Sequence, residues 1–434
     1  MRIENAADRQ DKPAEGKWAA SWTAAMQGPM PAGVPAALPD MSLALPGDRA
    51  RDQTFRMVIR PDVWGRVGRF RFSNAFGDRP LVIDGAYVGL HAGSGALIPG
   101  TNAGFRFGGS DSVSIPPGVE IMSDPVELPF VGAPDAIELV GRKLAVSFHV
   151  KGETGPLTWH AKAMTTSYIS PPGSGALGQA ESDAAFPFST TAWHFLDGFD
   201  VVAPAETLVI AALGDSITDG TFSTLNGDDR WPDRLSRRLH AAHGARASVV
   251  NVGIGGNQVV GPPVYPPPEP FNGGPSALSR LERDILSRAG ITHVIWMEGV
   301  NDFGQAFAPE GTPSATAEAV IAGLTEGAGR MRAAGLTVIG GTLPPSLNST
   351  REIYGTPETD RRRRLVNDFI RTTDVFDAFV DFEAATMDPA TGAIRAAFQP
   401  DSTLGGPADR LHPNRAGYLA MGDAVDLAFF APGA

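Results

Sequence analysis

The segment LVIAALGDS, residues 208–216, decides how the C-terminal half of the chain folds. Its six apolar residues are typical of a buried strand, and the Gly-Asp-Ser that follows is typical of a tight turn into a helix. The pattern recurs as apolar runs over 247–251, 292–297, 336–340 and 375–380, separated by helical patterns over 232–243, 277–287, 316–334 and 358–372. This alternation predicts an α/β fold with a doubly wound parallel sheet and helices on both faces.

The N-terminal half has a different periodicity. From Trp18 to Phe195, short runs with two-residue alternation, such as 55–60, 67–72 and 143–150, are separated by Gly, Pro, Asn and Asp. This pattern predicts an antiparallel β-sandwich of jelly-roll-like form. We therefore expect three parts, which are an N-terminal extension over 1–17, a β-sandwich domain over 18–204 and an α/β domain over 205–434.

Composition excludes several classes of function. The 434 residues include no cysteine, so disulfides, thiolate nucleophiles and Cys-based metal sites are excluded. A formal charge of −12 disfavours nucleic acid as a partner. No apolar run approaches the ~18 residues of a membrane helix, and residues 1–5 lack the apolar core of a signal peptide. We expect a soluble protein with no membrane span. The compartment stays open between cytoplasmic and, if a leader has been removed, exported.

Polar residues follow the predicted strands, where a parallel sheet gathers its reactive groups. Ser216 follows the first run. A serine attacks a carbonyl only if a base takes its proton, and His412 is the best placed of the eight histidines, because Asp409 can fold back and accept its ring N–H. Pro413 keeps His412 out of the helix that follows. We predict a catalytic triad of Ser216, His412 and Asp409.

Acyl transfer also needs donors for the oxyanion of the tetrahedral intermediate. The candidates are the backbone N–H groups of Ser216 and Gly256 and the side-chain amide of Asn301. Each such donor is commonly worth about 3 to 4 kcal/mol in the transition state. Asp215 and Asp302 adjoin two of these residues, and we expect them to support the site.

Four blocks of the sequence, taken in order, resemble the SGNH or GDSL hydrolases. They are Gly214-Asp215-Ser216-Ile217-Thr218, Gly256 within NVGIGGN, Gly299-x-Asn301-Asp302, and Asp409-x-x-His412. The resemblance covers about the last half of the chain. It implies a flavodoxin-like three-layer α/β/α domain in which the blocks carry the nucleophile, two oxyanion donors and the Asp-His pair. The family usually has Leu where this chain has Ile217, a common variant.

The N-terminal half is similar, more loosely, to a branch described as arylesterases or acylhydrolases, in which a β-domain precedes the hydrolase domain. The segments that carry this likeness are WAASWTAAMQGP at 18–29, VGRFRFSNAFGDRPL at 67–81 and, in the second half, GPSALSRLERDIL at 274–286. The resemblance implies esterase activity.

Simpler interpretations exist for single residues. Ser216 alone could be a helix N-cap. Gly253 and Gly255 have the first spacing of a dinucleotide-binding fingerprint, but Gln258 stands where the third glycine should be. Gly255 is also an alternative to Gly256 as the oxyanion donor. The agreement of all four blocks favours catalysis over these separate interpretations.

Two other functions compete with a serine hydrolase. A metal-dependent phosphoesterase could use the ligand types found at Asp215, Asn301, Asp302, Asp409 and His412. Such sites need several converging carboxylates and histidines, and the set contains one histidine, so we predict neither a metal nor another cofactor. A rival of another class is a non-catalytic polysaccharide-binding protein.

The sequence defines the substrate less closely than the fold or the catalytic residues. Long loops over 260–274, 303–314 and 399–406 adjoin three of the blocks and are expected to shape a pocket. Their aromatic residues fit either contacts to an acyl or aryl group or packing of the loops on themselves; they are Tyr265, Phe271, Phe303 and Phe307. Two pairs in the N-terminal half, Trp159-His160 and Trp193-His194, fit either sugar contacts or core packing. We expect a small-molecule ester with a short acyl, aryl or acetyl group, with a carbohydrate acetylesterase that binds sugar through the β-domain as the alternative.

Overall fold

The computed structural model of the chain describes residues 13, 15–37, 40–262, 271–304, 314–351, 353–399 and 408–431. Two regions of different architecture follow one another within these residues. The first, up to residue 203, consists mainly of antiparallel strands, and the second, from residue 208, alternates strands and helices. We call them the antiparallel half and the parallel half.

The antiparallel half is built from strands of two to thirteen residues. They are β1 (Lys17–Thr23), β2 (Arg51–Ile59), β3 (Val67–Ser73), β4 (Leu81–Gly93), β5 (Ala96–Leu97), β6 (Ala103–Phe105), β7 (Ser112–Ile115), β8 (Glu120–Met122), β9 (Val126–Glu127), β10 (Leu144–Glu153), β11 (Trp159–His160), β12 (Ser167–Ile169), β13 (Phe188–Thr190), β14 (Trp193–His194) and β15 (Leu196–Ala203).

Two antiparallel sheets carry most of these strands. One has the order β1-β15-β3-β8 with β9 beside β3, and the other has the order β13-β12-β2-β10-β4-β5 with β6 and β7 beside β4. Phe72 of β3 meets Phe148 of β10 edge to face, with 5.0 Å between ring centres, so aromatic side chains fill the space between the sheets. The sandwich-like architecture predicted for this half is confirmed.

The parallel half follows the predicted alternation. Its elements are β16 (Leu208–Gly214), α1 (Ser216–Asp219), α2 (Trp231–His243), β17 (Ala247–Gly253), α3 (Ala277–Leu281), β18 (His293–Met297), α4 (Val300–Gly304), α5 (Ala317–Ala333), β19 (Thr337–Gly341), α6 (Pro357–Thr372), β20 (Ala378–Val380), α7 (Phe382–Thr386) and α8 (Arg415–Ala424). The strands form one parallel sheet in the order β17-β16-β18-β19-β20. This order places a topological switch point at β16, where doubly wound folds bind their ligands.

Two elements of the parallel half are clearly shorter than their predicted extent. The last strand is limited to β20 and does not begin at Val375, because the Asp377 carboxylate accepts the Val338 N–H at 2.8 Å in place of a backbone carbonyl. The helix predicted over 277–287 is an α-helix to Leu281 and then a π-turn, closed by a 2.9 Å bond from the Ser287 N–H to the Glu282 carbonyl. Neither change moves a candidate site residue.

The two halves meet along β17, an edge strand of the parallel sheet. The buried Asp62 carboxylate accepts the Val249 N–H at 2.6 Å, and the Ser248 hydroxyl donates to the Ala20 carbonyl at 2.7 Å. These bonds satisfy polar groups that an uncovered edge would expose. Because the halves are joined here, loops of the antiparallel half reach the carboxyl edge of the parallel sheet. No helix in the described ranges is both long and apolar enough to cross a membrane.

Candidate functional site

The turn after β16 presents Ser216 at the carboxyl edge of the sheet. Gly214 is required there, since a Cβ atom would lie 2.4 Å from the Thr218 hydroxyl oxygen and 2.5 Å from the Met297 carbonyl oxygen. The Asp215 carboxylate caps α1 by accepting the Ile217 N–H at 2.9 Å. The capping role considered for Ser216 therefore belongs to Asp215. The serine hydroxyl is left for another partner.

That partner is His412. The Ser216 Oγ atom lies 2.8 Å from His412 Nε2, and His412 Nδ1 lies 2.6 Å from Asp409 Oδ2. The other Asp409 oxygen accepts the backbone N–H groups of Leu411 and His412 at 3.0 and 2.9 Å. All three side chains of this chain of hydrogen bonds are buried.

The charge of Asp409 determines which atoms donate and which accept in these hydrogen bonds. Burial disfavours the charged form of Asp409, but the charge and hydrogen bonds of His412 outweigh it and hold the pKa of this carboxyl well below its usual range. An ionised carboxylate can only accept, so His412 Nδ1 donates to it. In the neutral imidazole, His412 Nε2 is then the nitrogen that accepts the Ser216 O–H.

A glycine loop and α4 line the other side of Ser216. Gly256 has φ +82°, in the left-handed region that favours glycine, and lies beside Ser216 in one small pocket. The Asn301 Nδ2 atom donates to the Asn257 carbonyl at 2.9 Å. The Asp302 carboxylate accepts the Val259 and Val260 N–H groups at 2.9 and 3.0 Å, which joins α4 to the glycine loop. The structure thus brings Gly256 and Asn301 together beside Ser216.

Two buried carboxyl groups, those of Asp215 and Asp302, support this site. Burial raises the pKa of Asp215 to about 8 and that of Asp302 to about 7. Both residues were predicted as supporting groups; Asp215 accepts one backbone N–H and Asp302 accepts two. Across the described residues, no group of three or more His, Cys, Asp or Glu side chains is placed to hold a metal ion.

Comparison with known proteins identifies the parallel half. The family model of the GDSL-like lipase/acylhydrolase family matches residues 212–420. The chain contains a GDSL-like lipase/acylhydrolase domain. Lipases and acylhydrolases cleave carboxylic esters, so the match supports a carboxylic ester hydrolase. No curated protein matches the chain significantly.

Solved structures similar to this chain align with about half of it. They include a GDSL-like lipase from Bacteroides thetaiotaomicron (17% identity, 51% of this chain and 87% of that one, TM-score 0.36), a carbohydrate acetylesterase family member from Sinorhizobium meliloti (17%, 51% and 97%, TM-score 0.37) and a mutant of an acetyl-xylooligosaccharide esterase from Geobacillus stearmophilus (22%, 50% and 91%, TM-score 0.37).

Two residues of the GDSL domain hold the site together and were not predicted from the sequence. The Tyr354 hydroxyl donates to Asn301 Oδ1 at 2.7 Å, which fixes the orientation of that amide. The buried Arg280 guanidinium donates to the Gly214 carbonyl at 3.2 Å and to Asn257 Oδ1 at 2.8 Å, and so connects the end of β16 with the glycine loop. Tyr354 lies in none of the segments quoted from the sequence, and Arg280 lies within GPSALSRLERDIL, for which no site role was predicted.

The antiparallel half also reaches the pocket of the GDSL domain. Val34 and Lys162 line it together with Ser216, Gly256 and His412. Nearby, His160 Nε2 lies 3.1 Å from Asp219 Oδ1, while the other Asp219 oxygen accepts the Gly255 N–H at 2.8 Å. The sequence had indicated no residue of this half as part of the catalytic site.

The residues considered for substrate contact have other surroundings. Trp159, His160, Trp193 and His194 are buried, which favours core packing over sugar contact. Phe271 and Phe303, candidates in the long loops, are buried as well. Tyr265 and Phe307 lie outside the described residues.

Proposed function

We propose that the chain is a serine esterase that hydrolyses small carboxylic esters through an acyl-enzyme at Ser216. The observation that carries the proposal is the buried chain of hydrogen bonds from Ser216 through His412 to Asp409, with 2.8 Å and 2.6 Å between the bonded atoms. Nucleophilic serines in hydrolases are activated by this arrangement of a base and a group that orients it.

The first half of the reaction forms the acyl-enzyme. His412 Nε2 takes the Ser216 proton as Oγ bonds to the ester carbon, and the carbonyl oxygen becomes an oxyanion. Asp409 stabilises the imidazolium that forms. His412 then gives the proton to the leaving alcohol as the C–O bond breaks, which leaves the acyl group on Ser216.

The second half restores the enzyme. His412 removes a proton from water, the resulting hydroxide attacks the acyl carbon, and Ser216 leaves with the proton that His412 returns. The proposed oxyanion donors are the N–H groups of Ser216 and Gly256 and the Asn301 amide. The bonds from Tyr354 and to Asn257 support this role, because they hold the amide in one orientation before the substrate arrives.

Pocket size supports a small acyl group. Among the described residues, the pocket that contains Ser216 and His412 has a cavity volume of about 20 Å³, far below the ~300–1,000 Å³ of typical ligand sites. Acetyl and other short acyl esters fit this size better than long-chain lipids.

An ester panel tests the proposal. We expect 4-nitrophenyl acetate to be hydrolysed by the wild type and by a Ser287→Ala control, whose serine is exposed on the same half, and longer acyl chains to react more slowly. Ser216→Ala should lower kcat by roughly 10⁴-fold or more without changing the melting temperature. Wild-type rates in Ser216→Ala, or a complete loss of activity in EDTA, would overturn the mechanism. Acetylated xylan in the panel separates a carbohydrate acetylesterase from an arylesterase.

A further inference from the structure

Lys162 brings an ε-amino group from the antiparallel half to the catalytic pocket, and burial lowers the pKa of this group. It follows β11 by two residues, and it lines the pocket together with Ser216 and His412. Only 2% of its surface is exposed. The neighbouring bond between His160 and Asp219 anchors this segment to the residues just after Ser216. The position of Lys162 is therefore defined by the fold.

The ammonium group of Lys162 has donors to spare. It carries three N–H bonds, and within the described ranges its Nζ atom has a single hydrogen-bond partner, the Thr221 hydroxyl. None of the described carboxylates lies within 4 Å of it. Asp219, one of the nearest, is occupied by His160 and the Gly255 N–H. A buried ammonium that lacks a counter-ion is costly, and such groups are normally paired.

Arg351 adds a second cation to the same pocket from the parallel half. Its Nε atom lies 3.4 Å from Asp409 Oδ2, but 44% of its side chain is exposed and it also lines the pocket. The described part of the pocket wall contains no Asp or Glu side chain. This local charge is opposite in sign to the formal net charge of −12 of the whole chain. It is thus a property of the pocket and not of the surface in general.

We infer that the pocket selects esters that carry a carboxylate close to the ester carbonyl, and that Lys162 is the residue that binds this carboxylate, with Arg351 beside it. The inference rests on the proposed function, since it names the substrate class of the same site. A substrate carboxylate would supply the acceptor that the ammonium lacks, and bonds of this charge-assisted kind are stronger than neutral ones. A neutral ester of the same shape would leave the buried ammonium unpaired, which is how sites discriminate between close analogues.

Matched pairs of esters test the inference. Monomethyl succinate against methyl butyrate places the carboxylate in the acyl group, and 4-acetoxybenzoate against its methyl ester places it in the leaving group. We expect kcat/KM for the anionic ester to exceed that for the neutral one by about 10-fold or more in at least one pair. Equal values within both pairs would overturn the inference without any mutation.

Substitutions of Lys162 test whether this residue causes the preference for anionic esters. Lys162→Met and Lys162→Gln should each reduce the anionic-to-neutral ratio of kcat/KM to near one, while Lys151→Met, which removes an exposed lysine of the same half, should leave the ratio unchanged. Two variants are used so that a folding defect in one does not decide the result. Equal losses on both members of a pair would mean that Lys162 has only a structural role, and would contradict the inference. Activity that persists in Ser216→Ala would instead contradict the proposed function.

Discussion

The two halves of the molecule contribute to one pocket in different ways. The parallel half supplies Ser216, Gly256, Asn301 and His412 from the ends of its strands and the loop before α8. The antiparallel half supplies Lys162 from a segment with no catalytic motif. The pocket residues of the parallel half lie near the ends of its strands, where doubly wound folds place their sites, whereas Lys162 reaches the pocket through packing between distant parts of the chain.

The largest effect should come from the parallel half. Asn301→Ala removes the proposed oxyanion donor, and loss of such a donor lowers kcat by roughly 100- to 1,000-fold. The measurement is kcat and KM with 4-nitrophenyl acetate. A change in KM alone would mean that Asn301 binds the substrate in its ground state and does not stabilise the oxyanion.

In the antiparallel half, the buried His194 should contribute to the loss of stability in acid. His194 packs beside Phe55 and Trp159, and among the described residues neither of its ring nitrogens has a hydrogen-bond partner. Burial lowers the pKa of His194 to about 3. The stability due to its neutral form is therefore fully present above the ordinary pKa of about 6.5 and is lost progressively as pH falls toward 3.

Urea unfolding at pH 7 and pH 5 measures this effect. Between these values the wild type should lose roughly 2 kcal/mol more than His194→Phe, because a shifted group contributes at most about 1.4 kcal/mol per pH unit below its unfolded pKa. His243→Asn, at the partly exposed end of α2, should retain the wild-type loss. The same loss in His194→Phe as in the wild type would be evidence against a role for His194.

The smallest effect concerns a residue that supports the site within the parallel half. Tyr354→Phe leaves Asn301 Oδ1 without the hydroxyl that orients it. We expect kcat to fall roughly 10-fold with little change in KM, since a less ordered donor weakens transition-state binding. A variant with a lower melting temperature and an unchanged kcat would mean that Tyr354 is structural only.

The sequence predicted the fold class of both halves because periodicity is a local property. The runs at 208–213 and 247–251 became β16 and β17 almost residue for residue. The last strand was predicted too long, since the bond from the Val338 N–H to the Asp377 carboxylate depends on tertiary contact. Local patterns do not contain such contacts.

In the candidate site too, local sequence patterns predict some residues, whereas contacts between distant segments place others. Ser216, Asn301 and His412 follow or precede regular elements, so their proximity could be predicted from topology. Lys162 and Tyr354 could not be predicted in this way. Lys162 reaches the pocket only because β11 is anchored to Asp219, and Tyr354 because a loop returns over α4. The patterns in a single sequence do not show which distant segments pack against each other.

Covalent labelling shows directly whether Ser216 is the nucleophile. Diethyl 4-nitrophenyl phosphate should transfer its diethylphosphoryl group to an activated serine and release 4-nitrophenolate. Peptide mass spectrometry should find one label per chain, on Ser216, with esterase activity lost in proportion to labelling. Inactivation with the label on another residue, or activity retained after Ser216 is fully labelled, would contradict the account.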